Sequence, residues 1–114
     1  MKITNITKNT ILATKGAVAD SFSNRMKGLL GRESLEEGEA LVITSCRQIH
    51  MFFMRFAIDA IFLDKDNKIV GIVQDIKPFH CSPVFLHSNL VIELALGTIQ
   101  STNTQSGDII KIEP

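Results

Sequence analysis

The sequence predicts a mainly β fold, a sandwich or jelly-roll-like barrel of about eight short strands with one packed α-helix. Two observations carry this. Apolar residues gather in short runs rich in Ile, Val, Thr and Phe, each closed by Gly, Pro, Asn or Asp, which is the punctuation of strands and turns. Only one stretch, from Phe22 to Leu30, repeats its apolar residues at the three- and four-residue spacing of a helix.

At 114 residues, with 45% hydrophobic and 21% charged side chains, the chain has the size and balance of one globular domain, so residues 1–114 are read as a single unit. Such a length buries roughly two-thirds of the surface its unfolded form exposes, enough for one core without staples.

Residues 3–7 and 10–14 are rich in Ile and Thr and are separated by Lys8 and Asn9, which reads as a β-hairpin. Asp20 or Ser21 is placed to cap the helix, in which Phe22, Met26, Leu29 and Leu30 form one stripe able to lie against a sheet. Gly31 ends it, and polar residues 32–39 lead through Gly38 to an apolar strand over 40–44. After a break at 45–48, residues 49–56 are read as extended, with Met51 and Phe53 on one face and Phe52 and Met54 on the other. Residues 58–64 are apolar on both faces and need cover on both. Asn67, tolerant of the left-handed conformation, turns this strand into the next one, 69–73. Pro78 and Pro83 punctuate an irregular stretch to Ser88. A buried strand over 90–96 then closes at Gly97, and 109–112 is the last strand after the turn at Gly107 and Asp108.

Twelve Lys and Arg balance 12 Asp and Glu with no basic cluster, which argues against a nucleic-acid partner. Residues 1–9 interleave polar and apolar side chains and lack the apolar core of a signal peptide. No apolar run approaches bilayer length either, so a soluble protein in the cytoplasm, with no membrane partner, is expected. Cys46 and Cys81 show no Cys-x-x-Cys pairing and are read as free thiols in a reducing compartment.

Candidate chemistry gathers in residues 46–64. Asp59 lies in an apolar run, as does Glu93 further on, and a buried carboxylate needs an arginine or backbone donors to offset a desolvation cost of several kcal/mol. Arg25, Arg32, Arg47 and Arg55 are the available guanidinium groups. Structural pairing is the favoured reading of both carboxylates; the functional alternative makes Asp59 or Glu93 a general base, or Arg55 an anion holder. His50 is read first as a hydrogen-bonded core residue, then as a base or ligand. A zinc or copper site would have to collect Cys46, His50, His80, Cys81 and His87, whose spacing fits no closed pattern, so no metal is assigned. The soft patch of Met51, Phe52, Phe53, Met54 and Phe56 reads as core filling, or, if one face is exposed, as a binding groove.

Four blocks resemble a known family: Arg25-Met26-Lys27-Gly28-Leu29-Leu30-Gly31-Arg32, residues 49–64 around His50 and Asp59, Val91-Ile92-Glu93-Leu94-Ala95-Leu96-Gly97, and Gly107-Asp108. In this order they are similar to the uncharacterised bacterial and archaeal proteins called domain of unknown function family one hundred and ninety-two. The departures are mild: Leu30 where the family often has methionine, Ala57 where it has proline, and Asn67 where it has glycine. The resemblance implies a β-rich sandwich or jelly roll with one packed helix, and it implies no reaction.

Two functions remain open. One is a non-enzymatic binding or accessory module that presents residues 46–64 to a small molecule or another protein. The other is a hydrolase-type enzyme with His50, Asp59 and Glu93 arranged around Arg55, with Arg25 as a further member of the polar cluster. The module ranks first because the sequence carries no Gly-x-Ser-x-Gly, Walker, Gly-x-Gly-x-x-Gly or His-Glu-x-x-His pattern, and so no cofactor is expected.

Overall fold

The computed structural model describes residues 1–19, 32–52 and 54–114. Among them lie eight strands, β1 (Lys2–Asn5), β2 (Thr10–Ala13), β3 (Lys15–Ala19), β4 (Glu39–Thr44), β5 (Ile58–Leu63), β6 (Ile69–Ile76), β7 (Leu90–Leu94) and β8 (Ile110–Glu113), and a single-turn helix, α1 (Thr98–Ser101). They form two sheets, of order β2-β1-β8 and β3-β4-β7-β5-β6. Every pairing is antiparallel except β3 with β4.

The central strands of the large sheet, β4, β7 and β5, are buried on both faces, and their side chains alternate accordingly. Ile61 and Leu63 of β5, Ile92 and Leu94 of β7, and Ala40 and Val42 of β4 pack toward the small sheet against Ile3, Leu12, Ile110 and Ile99. Ile58, Ala60, Phe62, Val91, Leu41 and Ile43 face the other way and are covered by Leu35, Ile49, Met51 and Met54. All six residues of β5 are buried, as an apolar run without alternation requires. Side chains as large as Phe62 and Ile61 each contribute about 1.5–3 kcal/mol by leaving water.

The two sheets meet at their corners without closing into a barrel. Lys68 and Ile109 form an isolated bridge between the start of β6 and the start of β8, and the Gly16 N–H donates to the Met1 carbonyl. A buried polar cluster ties the first hairpin to the far end of the chain. Asn5 donates to Asp108 (2.9 Å) and Thr104 (3.1 Å), and Lys8 Nζ reaches both Asp108 carboxylate oxygens at 2.9 Å.

The sandwich expected from the sequence is the arrangement found, and the parallel β3–β4 pair separates it from an all-antiparallel jelly roll. Three local expectations change. Residues 15–19 form a strand that composition had not marked. Residues 98–101, to which the sequence assigned no element, form α1. The described residues of 49–56 do not form a strand: beyond one bridge, His50 to Cys81, the Met54 N–H turns back to donate to the Met51 carbonyl (3.3 Å). Met51 and Met54 are therefore both buried while Phe52 is exposed, the spacing of a turn rather than of a pleat. The helix expected between Asp20 and Leu30 lies outside the described residues, as do Arg25 and Phe53.

Candidate functional site

The two carboxylates singled out by sequence do not share a site. In β5 and β7, Asp59 stands opposite Leu94 and Ala60 stands opposite Glu93, so Asp59 projects with Leu94 toward the small sheet and Glu93 projects with Ala60 away from it. A dyad between them is excluded by a full sheet thickness.

Asp59 is 1% exposed, and its acceptor capacity is largely used. Oδ1 accepts the Asp75 N–H, and Oδ2 accepts the N–H groups of Gly97 and Ile99, all at 3.0 Å. Two of these donors belong to the first turn of α1 and its preceding residue, where backbone N–H groups lack internal partners. Asp75 and Gly97 both have positive φ, 52° and 89°. The carboxylate thus pins the irregular end of β6 and the start of α1 to β5. That is the structural use of a buried acid, and it leaves little of Asp59 for proton abstraction.

Glu93 is fully buried on the face of Leu41, Ala60 and Val91 and is partnered there. Arg55 is exposed at the bend after Met54 and carries no hydrogen bond or ion pair among the described residues. His50, half-buried, receives the Phe52 N–H on Nδ1 at 3.4 Å and lies against the Phe52 ring at a centroid distance of 4.6 Å. None of His50, Arg55 and Asp59 is bonded to another.

What the structure builds around residues 46–56 is a short two-stranded contact with residues 79–85. Met51 N–H donates to the His80 carbonyl (2.8 Å) and Ser82 N–H to the Ile49 carbonyl (2.9 Å), flanking the bridge between His50 and Cys81. That pattern makes His50 and Cys81 a pair without mutual hydrogen bonds, whose α-carbons approach to about 4.5 Å with both side chains on one face. The Phe79 N–H donates to the Met51 carbonyl at 2.7 Å, bringing Phe79 next to the residue that precedes Phe52.

Phe79 also occupies an unfavourable backbone position. The His80 N–H bonds the Lys77 carbonyl at 3.1 Å, closing a turn with Pro78 and Phe79 at its centre, and Phe79 has φ 65°. That third turn position normally takes glycine or asparagine, because a side chain there meets backbone. A bulky residue in this region costs about 1–3 kcal/mol, and such strain gathers at functional sites. Phe79 is nonetheless 62% exposed, and Phe52, 42% exposed, directly follows Met51, whose carbonyl accepts the Phe79 N–H. The sequence marked Phe52 within its soft patch. Phe79 had no comparable signal, since neither its φ nor its approach to Met51 can be read from neighbouring residues.

The described residues contain no group of three or more His, Cys, Asp or Glu side chains arranged to hold a metal ion, and no helix long and apolar enough to cross a membrane. Cys46 and Cys81 are free thiols.

The fold and these blocks define a class of small β-sandwich, and comparison places the chain within it. The family model DUF192, described as "Uncharacterized ACR", matches residues 3–112, and the chain belongs to that family. It is similar to the UPF0127 protein of Pyrococcus horikoshii, 31% identical over 112 residues that cover 96% of each chain. A UPF0127 protein of Thermococcus sibiricus is 29% identical over 113 residues, 96% of this chain and 73% of the relative. A crystal structure of a protein of unknown function from Novosphingobium aromaticivorans superposes with a TM-score of 0.81 at 19% identity, covering 97% of this chain and 82% of that one, which is a likeness of fold.

Proposed function

We propose that the protein is a non-enzymatic binding module. The exposed residues of the 46–64 segment, together with the facing turn at Phe79, form its receptor surface for a small molecule or a partner protein with an apolar, planar group to bury. The observation that carries this reading is the pair of exposed rings, Phe52 and Phe79, on one hydrogen-bonded contact, with Phe79 kept in a backbone conformation that costs energy. An exposed aromatic ring offers large contact area at little loss of rotamer freedom. Arg55, exposed on the same segment, adds a planar cation for an acidic substituent. The enzyme reading is weakened at its base, because Asp59 already accepts three backbone N–H groups and faces away from Glu93.

The test is fluorescence titration with 1-anilinonaphthalene-8-sulfonate, whose apolar rings and single anion match the surface. Saturable binding at one site per chain is expected, lost on Phe52→Ala. Binding that ignores this substitution contradicts the reading.

A further inference from the structure

A different set of side chains bounds a polar cleft. Two adjoining depressions, of about 370 and 310 Å³, share Arg47, Ser88 and Asn89; the first is completed by Ser45 and the second by residues that include Lys65 and Asp64. The side chains of Arg47 and Lys65 are exposed and make no hydrogen bond or ion pair among the described residues. Asp64 is the acidic group lining the cleft. Its Oδ1 is taken by the backbone N–H groups of Asp66 (2.9 Å) and Lys68 (3.0 Å), which hold the carboxylate in the β5–β6 turn.

The frame of the cleft is fixed by backbone bonds. Phe85 N–H donates to the Arg47 carbonyl at 2.8 Å and Asn89 N–H to the Leu63 carbonyl at 2.7 Å. Ser88 is buried, with its hydroxyl donating to the Cys46 carbonyl at 2.7 Å and lying 3.1 Å from that of Leu90. Ser45, at φ 53°, turns the chain out of β4 so that Arg47 lines the cleft. The Asn89 side-chain amide and the Ser45 hydroxyl add neutral donors beside the two cations.

We propose that this cleft is an anion site for a phosphate-type oxyanion. Arg47 supplies paired N–H donors from its planar fork, and Lys65 supplies the second charge. A dianion matches two cations where a carboxylate matches one, and a tetrahedral oxyanion presents enough oxygens for Asn89 and Ser45 as well. The two depressions open to solvent, which leaves room for the phosphate group to be carried on a larger body, either a soluble phosphoester or a lipid headgroup.

Inorganic phosphate, titrated at constant ionic strength into the ¹⁵N-labelled protein, is the probe. Saturable shifts of the Arg47 and Lys65 backbone amides and the Asn89 side-chain amide are expected, with acetate weaker. Both cations are exposed, so Arg47→Gln with Lys65→Gln leaves the fold intact, and it should weaken phosphate by about tenfold or more, the value of one charged hydrogen bond. Sedimentation with phosphatidic acid vesicles, against phosphatidylcholine alone, separates the two sources. Vesicle binding that the double variant abolishes assigns the headgroup, and phosphate binding without it assigns a soluble phosphoester. Absence of both, or titrations that the double variant leaves unchanged, overturns the proposal.

Discussion

Replacing Asp59 separates a scaffold carboxylate from a catalytic one. Asp59→Ala deletes the acceptor for the N–H groups of Asp75, Gly97 and Ile99. At about 1–3 kcal/mol for each donor left without a partner, the loss amounts to about 5 kcal/mol, comparable with the entire stability of a marginal domain. Asp59→Asn is the sharper variant because it keeps the volume. Its remaining oxygen can still serve Gly97 and Ile99, while its NH₂ group is set against the Asp75 N–H, at a cost of about 2 kcal/mol. Urea unfolding followed by far-ultraviolet circular dichroism measures both. The pinning account also expects faster amide hydrogen exchange at Gly97 and Ile99 than elsewhere in the sheet. An Asp59→Asn protein within about 0.5 kcal/mol of the parent, with unchanged exchange at those two amides, refutes it.

Three further outcomes follow from particular contacts. Burial works to raise the Asp108 carboxyl, but the hydrogen bonds from Asn5, Lys8 and the Gln105 N–H outweigh it and hold it below the ordinary aspartate range. A group with a depressed folded pKa contributes stability that is present above its unfolded value and lost as pH falls through the folded one. Stability should therefore drop below about pH 4, and Asp108→Asn, measured by thermal unfolding across pH, should flatten that part of the profile. A β-carbon on Gly71 would lie 2.5 Å from the ring of Phe85, which itself packs on Phe62 at a centroid distance of 4.5 Å. Gly71→Ala should cost about 1–3 kcal/mol in chemical denaturation, by forcing that ring off Phe62. Phe79→Asn places a residue tolerant of left-handed backbone in the Pro78 turn, so it should leave stability equal or raise it by up to about 1 kcal/mol, read by thermal unfolding.

The sheets were legible where one strand carries its own signal. The unbroken apolar run at β5, the Asn67 turn into β6 and the Thr-rich first hairpin all follow from local composition, and the structure places strands there. Strand β3 was not legible, because Lys15–Ala19 is short and mostly exposed, and its extended form depends on parallel pairing with β4. Residues 49–56 misled for the opposite reason. Their composition is strand-like, yet backbone bonds to residues 79–82 and the bend at Met54 set their course. The site was half legible. Buried acids demand partners, which the sequence showed, but whether Asp59 meets an arginine or the N–H groups of α1 depends on a crossing between residues about 40 positions apart. The opposite facing of Asp59 and Glu93 needs the β5–β7 register, which composition does not encode.

The most direct test of the binding surface is titration of 1-anilinonaphthalene-8-sulfonate into Phe79→Asn, with thermal unfolding on the same sample. The account predicts that the variant loses saturable binding and unfolds no earlier than the parent, since Asn suits the left-handed backbone at this position better than Phe. Parent-like binding together with parent-like stability contradicts it.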